Sequence, residues 1–334
     1  MDFFQLLPPE LRFEVFLSLR TRSSIMLLLR ASPTMLAQYR KNKILIQQAY
    51  YKEEFDTGMF QDALAIIHFP PQDTPEPNTE RILGHIVQWS KRALPNPFEG
   101  QDHTTLKSLD NLYDRFLIFI EDYITKATSA HPWWTCIGEP DLSSKRGRIL
   151  FRGKPKDIDI LKIDSLNKCE RKRLFQAFLR YEVLSKVCYL RREWPDKNVV
   201  DRIIKKVYGK LRNWQGEAIR CVYDYLHDLE GALAAHYTDP WLSGLSPESV
   251  LNEKDDDGDS NFEFPDTVWF RHMIYVEEFA EDNNFEHWHT GLTLCGFDPI
   301  TSLLTSPRDN NACSEQLLHC LKAERRRLEE TLNR

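Results

Sequence analysis

Apolar side chains recur at helical spacing through most of the chain. Helix-length amphipathic segments are expected near residues 8–19, 23–31, 33–50, 104–128, 165–192, 197–208, 213–236, 266–282 and 312–332. The clearest stripe lies in 165–192, where Leu174, Phe178, Tyr181, Leu184 and Cys188 follow one another at intervals of three or four. Arg171, Lys172, Arg180 and Arg191 largely fall outside that stripe, as expected of a helix with one face on a core. Ser32-Pro33 and Ser246-Pro247 read as helix starts: the hydroxyl caps an orphan amide, and proline takes a first-turn site whose N–H would be unpaired anyway.

The breaks are equally legible. Residues 69–77 hold four prolines and form an extended connector, and 95–103 and 129–147 read as loops, the latter with Trp133 and Trp134. GRILFRG at 147–153 is the one β-like stretch, a short ribbon at most, and 252–264 is an acidic surface loop. The expected class is therefore all-α. A short three-helix module over residues 1–45 is packed on or linked to a large irregular helical body over 46–334. Three short helices in so few residues bury too little surface to stand alone, so some of their apolar faces must dock on the body or on a partner.

Composition narrows the class. The 334 residues are 42% hydrophobic and 28% charged, enough for a soluble protein with a core. No apolar run approaches the ~18 residues of a membrane span. The start MDFFQLLPPE has neither the basic nor the apolar region of a secretory signal. An intracellular protein, in the cytoplasm or nucleus, is expected. Seven cysteines without a CxxC pair support neither a disulfide framework nor a zinc ribbon; Cys169, Cys188 and Cys221 are expected to be small buried hydrophobes.

The net charge of −6 conceals a strong asymmetry. Residues 1–50 carry +4, 51–139 carry −7, 140–215 carry +12 and 216–334 carry −15. The blocks either neutralise one another in the fold or leave a basic anion-binding surface. Its sharpest candidates are Lys145, Arg146, Arg148, Arg152 and Lys154, with Phe151 interleaved for stacking on a base.

Catalytic and metal motifs fail on spacing. Aligning Gly258 with the turn glycine of a calcium loop puts Glu253, Asp255 and Asp257 at ligand positions, but Phe264 stands where the bidentate Glu is needed. His287 and His289 point apart on a helix, and no further ligands follow at motif spacing. Cys313 and Cys320 share a helical face as core residues. No GxSxG, HExxH, GxxxxGK[ST] or GxGxxG occurs. Neither an enzyme nor a cofactor or metal is expected.

The informative stretch is LLPPELRFEVFLSL, Leu6 to Leu19, followed by SSIMLLLRASPTMLAQYRKN, Ser23 to Asn42. Leu7, Leu11, Val15 and Leu19 form a stripe, with Pro8 and Pro9 starting the helix and Glu10 near its positive end. This stretch resembles the F-box, whose LPxEL pattern reads here as Leu7-Pro8-Pro9-Glu10-Leu11 and whose downstream LxxLR segment falls at Leu27 to Pro33. It departs from that pattern at Arg12, at Pro33 and in lacking a Trp near Tyr39. The resemblance implies docking on a Skp-type adaptor of a cullin–RING ubiquitin ligase, with Leu7, Pro8, Leu11, Val15, Phe16 and Leu28 as contacts and an unidentified protein as substrate. LFQAFLRYEVLSKVC (174–188) and NWQGEAIRCVYDYL (213–226) resemble helices of a family of fungal proteins that begin with an F-box-like segment and continue as a helical region without an assigned activity. Two alternatives remain. The N-terminal helices could serve the fold alone, or the basic 140–215 block could bind nucleic acid.

Overall fold

The computed structural model describes residues 2–19, 21–70, 79–130, 135–144, 147–151, 153–193, 202–206, 211–238 and 296–305. They are mostly helical, and the all-α class holds. A short 3-10 turn, Phe3–Leu6, precedes α1 (Pro9–Ser18), α2 (Arg22–Ala31) and α3 (Pro33–Glu54). Then come α4 (Thr57–Ile67), α5 (Thr79–Ser90) and α6 (His103–Ala127). A small antiparallel sheet follows, in the order β1 (Glu139–Pro140), β2 (Ile149–Phe151), β3 (Lys154–Pro155). A second 3-10 turn, Ile163–Ser165, leads to α7 (Lys168–Glu193), α8 (Asn213–Thr238) and α9 (Phe297–Thr305). The GRILFRG stretch supplies the central strand, as its β-branched and aromatic content suggested.

Helix starts follow capping chemistry. Ser32 Oγ accepts from Met35 N at 3.0 Å, with Pro33 in the first turn of α3, as its sequence announces. Asp102 caps α6 through Thr104 N and Thr105 N. Asn167 and Glu170 close a reciprocal box on α7: Asn167 Oδ1 accepts from Glu170 N, and Glu170 Oε2 accepts from Asn167 N.

Among the described residues, two apolar cores result. Phe16, Ile25, Met35 and Ile46 form a small one between α1, α2 and α3. The large one gathers α4 to α9 around α7, which packs against α3, α4, α6 and α8. The stripe expected on α7 is too narrow. Leu174 and Leu184 are only half-buried, whereas Phe175, Phe178, Leu179, Tyr181, Val183 and Val187 are buried on several faces. A helix enclosed on most sides has no single apolar stripe to detect. The same reason hides α4, where even Gln61 and Asp62 are buried. Gln61 exchanges two hydrogen bonds with the Leu94 backbone, and Asp62 Oδ1 accepts from Trp89 Nε1 at 2.8 Å. Cys169 and Cys221 are exposed free thiols, not buried hydrophobes, because they lie on the outer faces of α7 and α8. The helices expected at 266–282 and 312–332, the acidic loop, His287, His289, Cys313, Cys320 and nearly all of the proline-rich connector lie outside the described residues.

Phe178, fully buried among Phe116, Tyr123, Tyr225 and Phe297, anchors the large core. Phe178→Ala is expected to lower unfolding stability by about 3–5 kcal/mol, and Leu174→Ala by clearly less, in chemical denaturation. Burial pushes the Asp62 carboxyl up to about 6, above its unfolded value. The native state therefore holds that proton more tightly, and this group's contribution to stability falls as pH rises from about 4 to 6. Asp62→Asn keeps an acceptor for Trp89 and is expected to flatten that slope in urea unfolding measured between about pH 4 and 7.

Candidate protein-docking face

The N-terminal module sorts its apolar side chains onto two sides. Phe16, at 2% exposure, together with Ile25 and Met35, faces inward. Phe13, Val15, Leu19, Leu28 and Leu29 are partly buried against the same small core. Leu11 at 51%, Leu17, Met26, Leu27 at 64% and Leu45 face outward, as do Phe3 and Leu6 of the preceding 3-10 turn. Among the described residues, Trp214 is the only other exposed large hydrophobic side chain, and the Arg173 guanidinium stands 5.1 Å from the centre of its ring. Scattered exposed leucines are ordinary on a surface; their concentration on one forty-residue segment is not.

This arrangement divides the expected contact residues. Pro8 and Leu11 are exposed, and Leu7, Val15 and Leu28 are half-buried. Phe16 cannot meet a partner without opening the module, because it forms the small core and packs 5.8 Å from the Tyr39 ring. The apolar stripe read from the sequence is split: Val15 and Leu19 pack against the small core, while Leu11 faces solvent. The outward set, with Leu17, Met26 and Leu27, occupies neighbouring helical positions that a single-stripe reading passes over. Apolar residues on more than one face of α1 were the available signal.

The module is held to the body by a polar cluster on α6. Asp110 accepts from Gln47 Nε2 and from Tyr51 OH, each at 2.7 Å, and Arg22 Nη2 lies 3.5 Å from it. Arg22 Nη1 also pairs with Asp114 at 3.0 Å, and the guanidinium stands 5.8 Å from the Tyr113 ring centre. The hydroxyls of Tyr50 and Tyr113 meet at 2.6 Å. Burial raises the Tyr51 and Tyr113 hydroxyls well above the ordinary phenol range, so they stay protonated. α3 runs straight through the expected boundary at residue 45, with a bend at Asn42 where the side-chain amide donates to Gln38 O. Module and body thus share a helix.

Part of the basic block is spent inside the fold, while Arg173, Lys205, Lys206 and Arg212 stay exposed. Lys162 pairs with Glu121, Lys168 with Glu53, Arg171 with Glu54 and Arg180 with Asp62, each joining the +12 block to the −7 block. Of the anion-binding candidates, Arg148 and Lys154 are exposed, while Lys145, Arg146 and Arg152 lie outside the described residues. Burial and the neighbouring Lys126 pull the Lys156 ammonium down to about 7, and Lys156 itself stands 5.0 Å from the Phe151 ring centre. Beneath the ribbon, Lys126 bonds Asp122 and Gly138 O, each at 2.8 Å, and Asp122 also accepts from Tyr225 OH at 2.7 Å. That cluster fastens β1 to α6 and α8.

Among the described residues, no group of three or more His, Cys, Asp or Glu side chains is arranged to hold a metal ion. No described helix is long and apolar enough to cross a membrane. Compared with family models, with curated proteins and with solved structures, the chain matches none.

Because Leu11 and Leu27 touch solvent on their outer faces, Leu11→Ser and Leu27→Ser are expected to change unfolding stability by no more than about 0.5 kcal/mol. Phe16→Ala, which opens the small core, is expected to cost about 3–5 kcal/mol. Thermal or urea unfolding of the three variants checks the sorting of inner from outer positions.

Proposed function

We propose that the chain is a substrate receptor of a cullin–RING ubiquitin ligase. In this reading its N-terminal module docks a Skp-type adaptor and its helical body presents a protein target, without catalysis of its own. The observation that carries the reading is the outward apolar set of the module. Leu11, Leu17, Met26 and Leu27 stay exposed on the helices whose Phe16 and Ile25 fill the small core. Exposed apolar groups gathered on one module are what a docking surface requires. The LPPEL pattern that suggested the F-box resemblance places Leu11 in this set.

The nucleic-acid alternative is weakened on physical grounds. Four cations of the basic block are paired within the protein and burial lowers the Lys156 ammonium to about 7, which leaves Arg148, Lys154, Lys205 and Lys206 among its exposed cations. A phosphate-driven interface needs free cations whose counterions are released on binding.

Binding of the full chain to a purified Skp-type adaptor tests the proposal. A stable complex is expected, and Leu11→Asp combined with Leu27→Asp should weaken it at least about tenfold while leaving the melting temperature in place. Undiminished binding by that double variant, or no complex with the parent chain, would sink the assignment.

A further inference from the structure

The first residues of the chain are tied down in a way that the F-box resemblance does not call for. Asp2 Oδ1 accepts from Phe4 N at 3.1 Å and so caps the 3-10 turn Phe3–Leu6. Asp2 Oδ2 accepts from Ser32 Oγ at 2.7 Å and from Thr34 N at 3.1 Å, at the start of α3. One carboxylate therefore clamps the turn to the junction of α2 and α3, thirty residues further on. Bonds from Ser32 and Thr34 hold the Asp2 carboxyl down to about 2, so the clamp stays charged throughout the working pH range. Phe4 turns inward against the small core. Phe3, at 76% exposure, and Leu6, at 72%, are left outward, and the clamp sets their turn at the junction of α2 and α3, beyond Leu27.

Resting on the docking reading above, we infer that the docking face extends to Phe3 and Leu6, and that Asp2 is the positioning residue that presents them to a protein partner whose apolar patch is rimmed by acidic groups. The charge of the module selects that occupant. From Arg20 to Tyr50 the chain carries six Lys or Arg and no Asp or Glu, and Arg30, Arg40, Lys41 and Lys43 are exposed. A second copy of the chain, meeting this face with its own through a two-fold axis, would set cation against cation. An anionic lipid surface would be opposed by the exposed Glu10 and Glu14 of α1. A lipid surface is anionic throughout, whereas a protein can set a discrete acidic rim against Arg30, Arg40, Lys41 and Lys43 and keep it away from Glu10 and Glu14.

The full chain and four variants are titrated against a purified Skp-type adaptor at two salt concentrations. The variants are Asp2→Ala, Asp2→Asn, Phe3→Ser with Leu6→Ser, and all three replacements (Asp2→Ala, Phe3→Ser and Leu6→Ser) together. The Phe3–Leu6 pair is expected to weaken binding by about tenfold and Asp2→Ala by about three- to tenfold. Asp2→Asn, which keeps an acceptor oxygen, should recover part of the loss. In the triple variant Asp2→Ala should cost nothing further, because a clamp has no effect once the side chains it presents are gone. Full additivity, or unchanged binding without Phe3 and Leu6, would overturn this inference while leaving the docking reading intact. No binding by the parent chain would remove the docking reading itself, and this inference with it. Affinity unchanged by salt would refute the acidic rim. Concentration-dependent dimerisation abolished by Phe3→Ser with Leu6→Ser, or equal sensitivity of vesicle binding (phosphatidylserine in phosphatidylcholine) to those substitutions, would replace the occupant with a second copy or a membrane.

Discussion

The Asp110 carboxylate, on the face of α6, is the point on which the placement of the whole N-terminal module turns. It takes two hydrogen bonds from α3, through Gln47 and Tyr51, and the guanidinium of Arg22 from α2. Hydrogen bonds to a charged acceptor are the stronger kind, and three donors from two helices also fix an angle. Because α3 itself continues from the small core into the large one, the module cannot swing as a bead on a linker. Its inner side is committed to Phe16, Ile25 and Met35, so only its outer side remains for anything else. Rigid attachment and an open apolar face are thus two results of one arrangement.

The body shows how strongly uneven charge along a chain can be spent on its own assembly. Basic side chains of α7 and the segment before it reach acidic partners on α3, α4 and α6. At the far end, Glu182 is fully buried and accepts from Phe297 N at 2.7 Å, while Asp298 pairs with Arg115 and Lys186. Lys186 and Arg115 hold the Asp298 carboxyl below its usual range against its burial. These contacts seat α9 so that its Phe297 ring enters the aromatic cluster of Phe116, Phe119 and Phe178. Gly296 at φ +80° makes the turn into that helix, and a side chain there would strike Glu182. The buried carboxylates of Glu54, Glu121, Asp122 and Glu182 are anchors between elements, each matched by a cation, a hydroxyl or a backbone amide.

Legibility in the sequence followed the physics of each element. Helices with one wet face, such as α6 and α8, announced themselves within a residue or two, and the caps at Ser32 and Pro33 marked the start of α3. α4 did not, because burial on nearly every side leaves no polar stripe to set the period. α5 lies next to a proline-rich segment that masks its start, and α9 is short and carries Pro299 in its first turn. Of the adaptor contacts that the F-box resemblance implied, Leu11 is exposed, whereas Phe16 is buried in the small core. Phe3, Leu6 and Leu27 were passed over, since apolar residues beside a stripe look the same in sequence whether or not a neighbour covers them.

By itself, then, the amino-acid order determined the helical class, the sites of several caps, the short ribbon and the uneven charge, all of which depend on neighbours a few residues apart. The tertiary structure alone decided which apolar faces are covered, where the basic block spends its charge and what holds the chain's first residues. Those depend on contacts such as Asp2 with Ser32, Arg22 with Asp110 and Arg171 with Glu54. Residues thirty to more than a hundred positions apart carry no local period by which their meeting could be read.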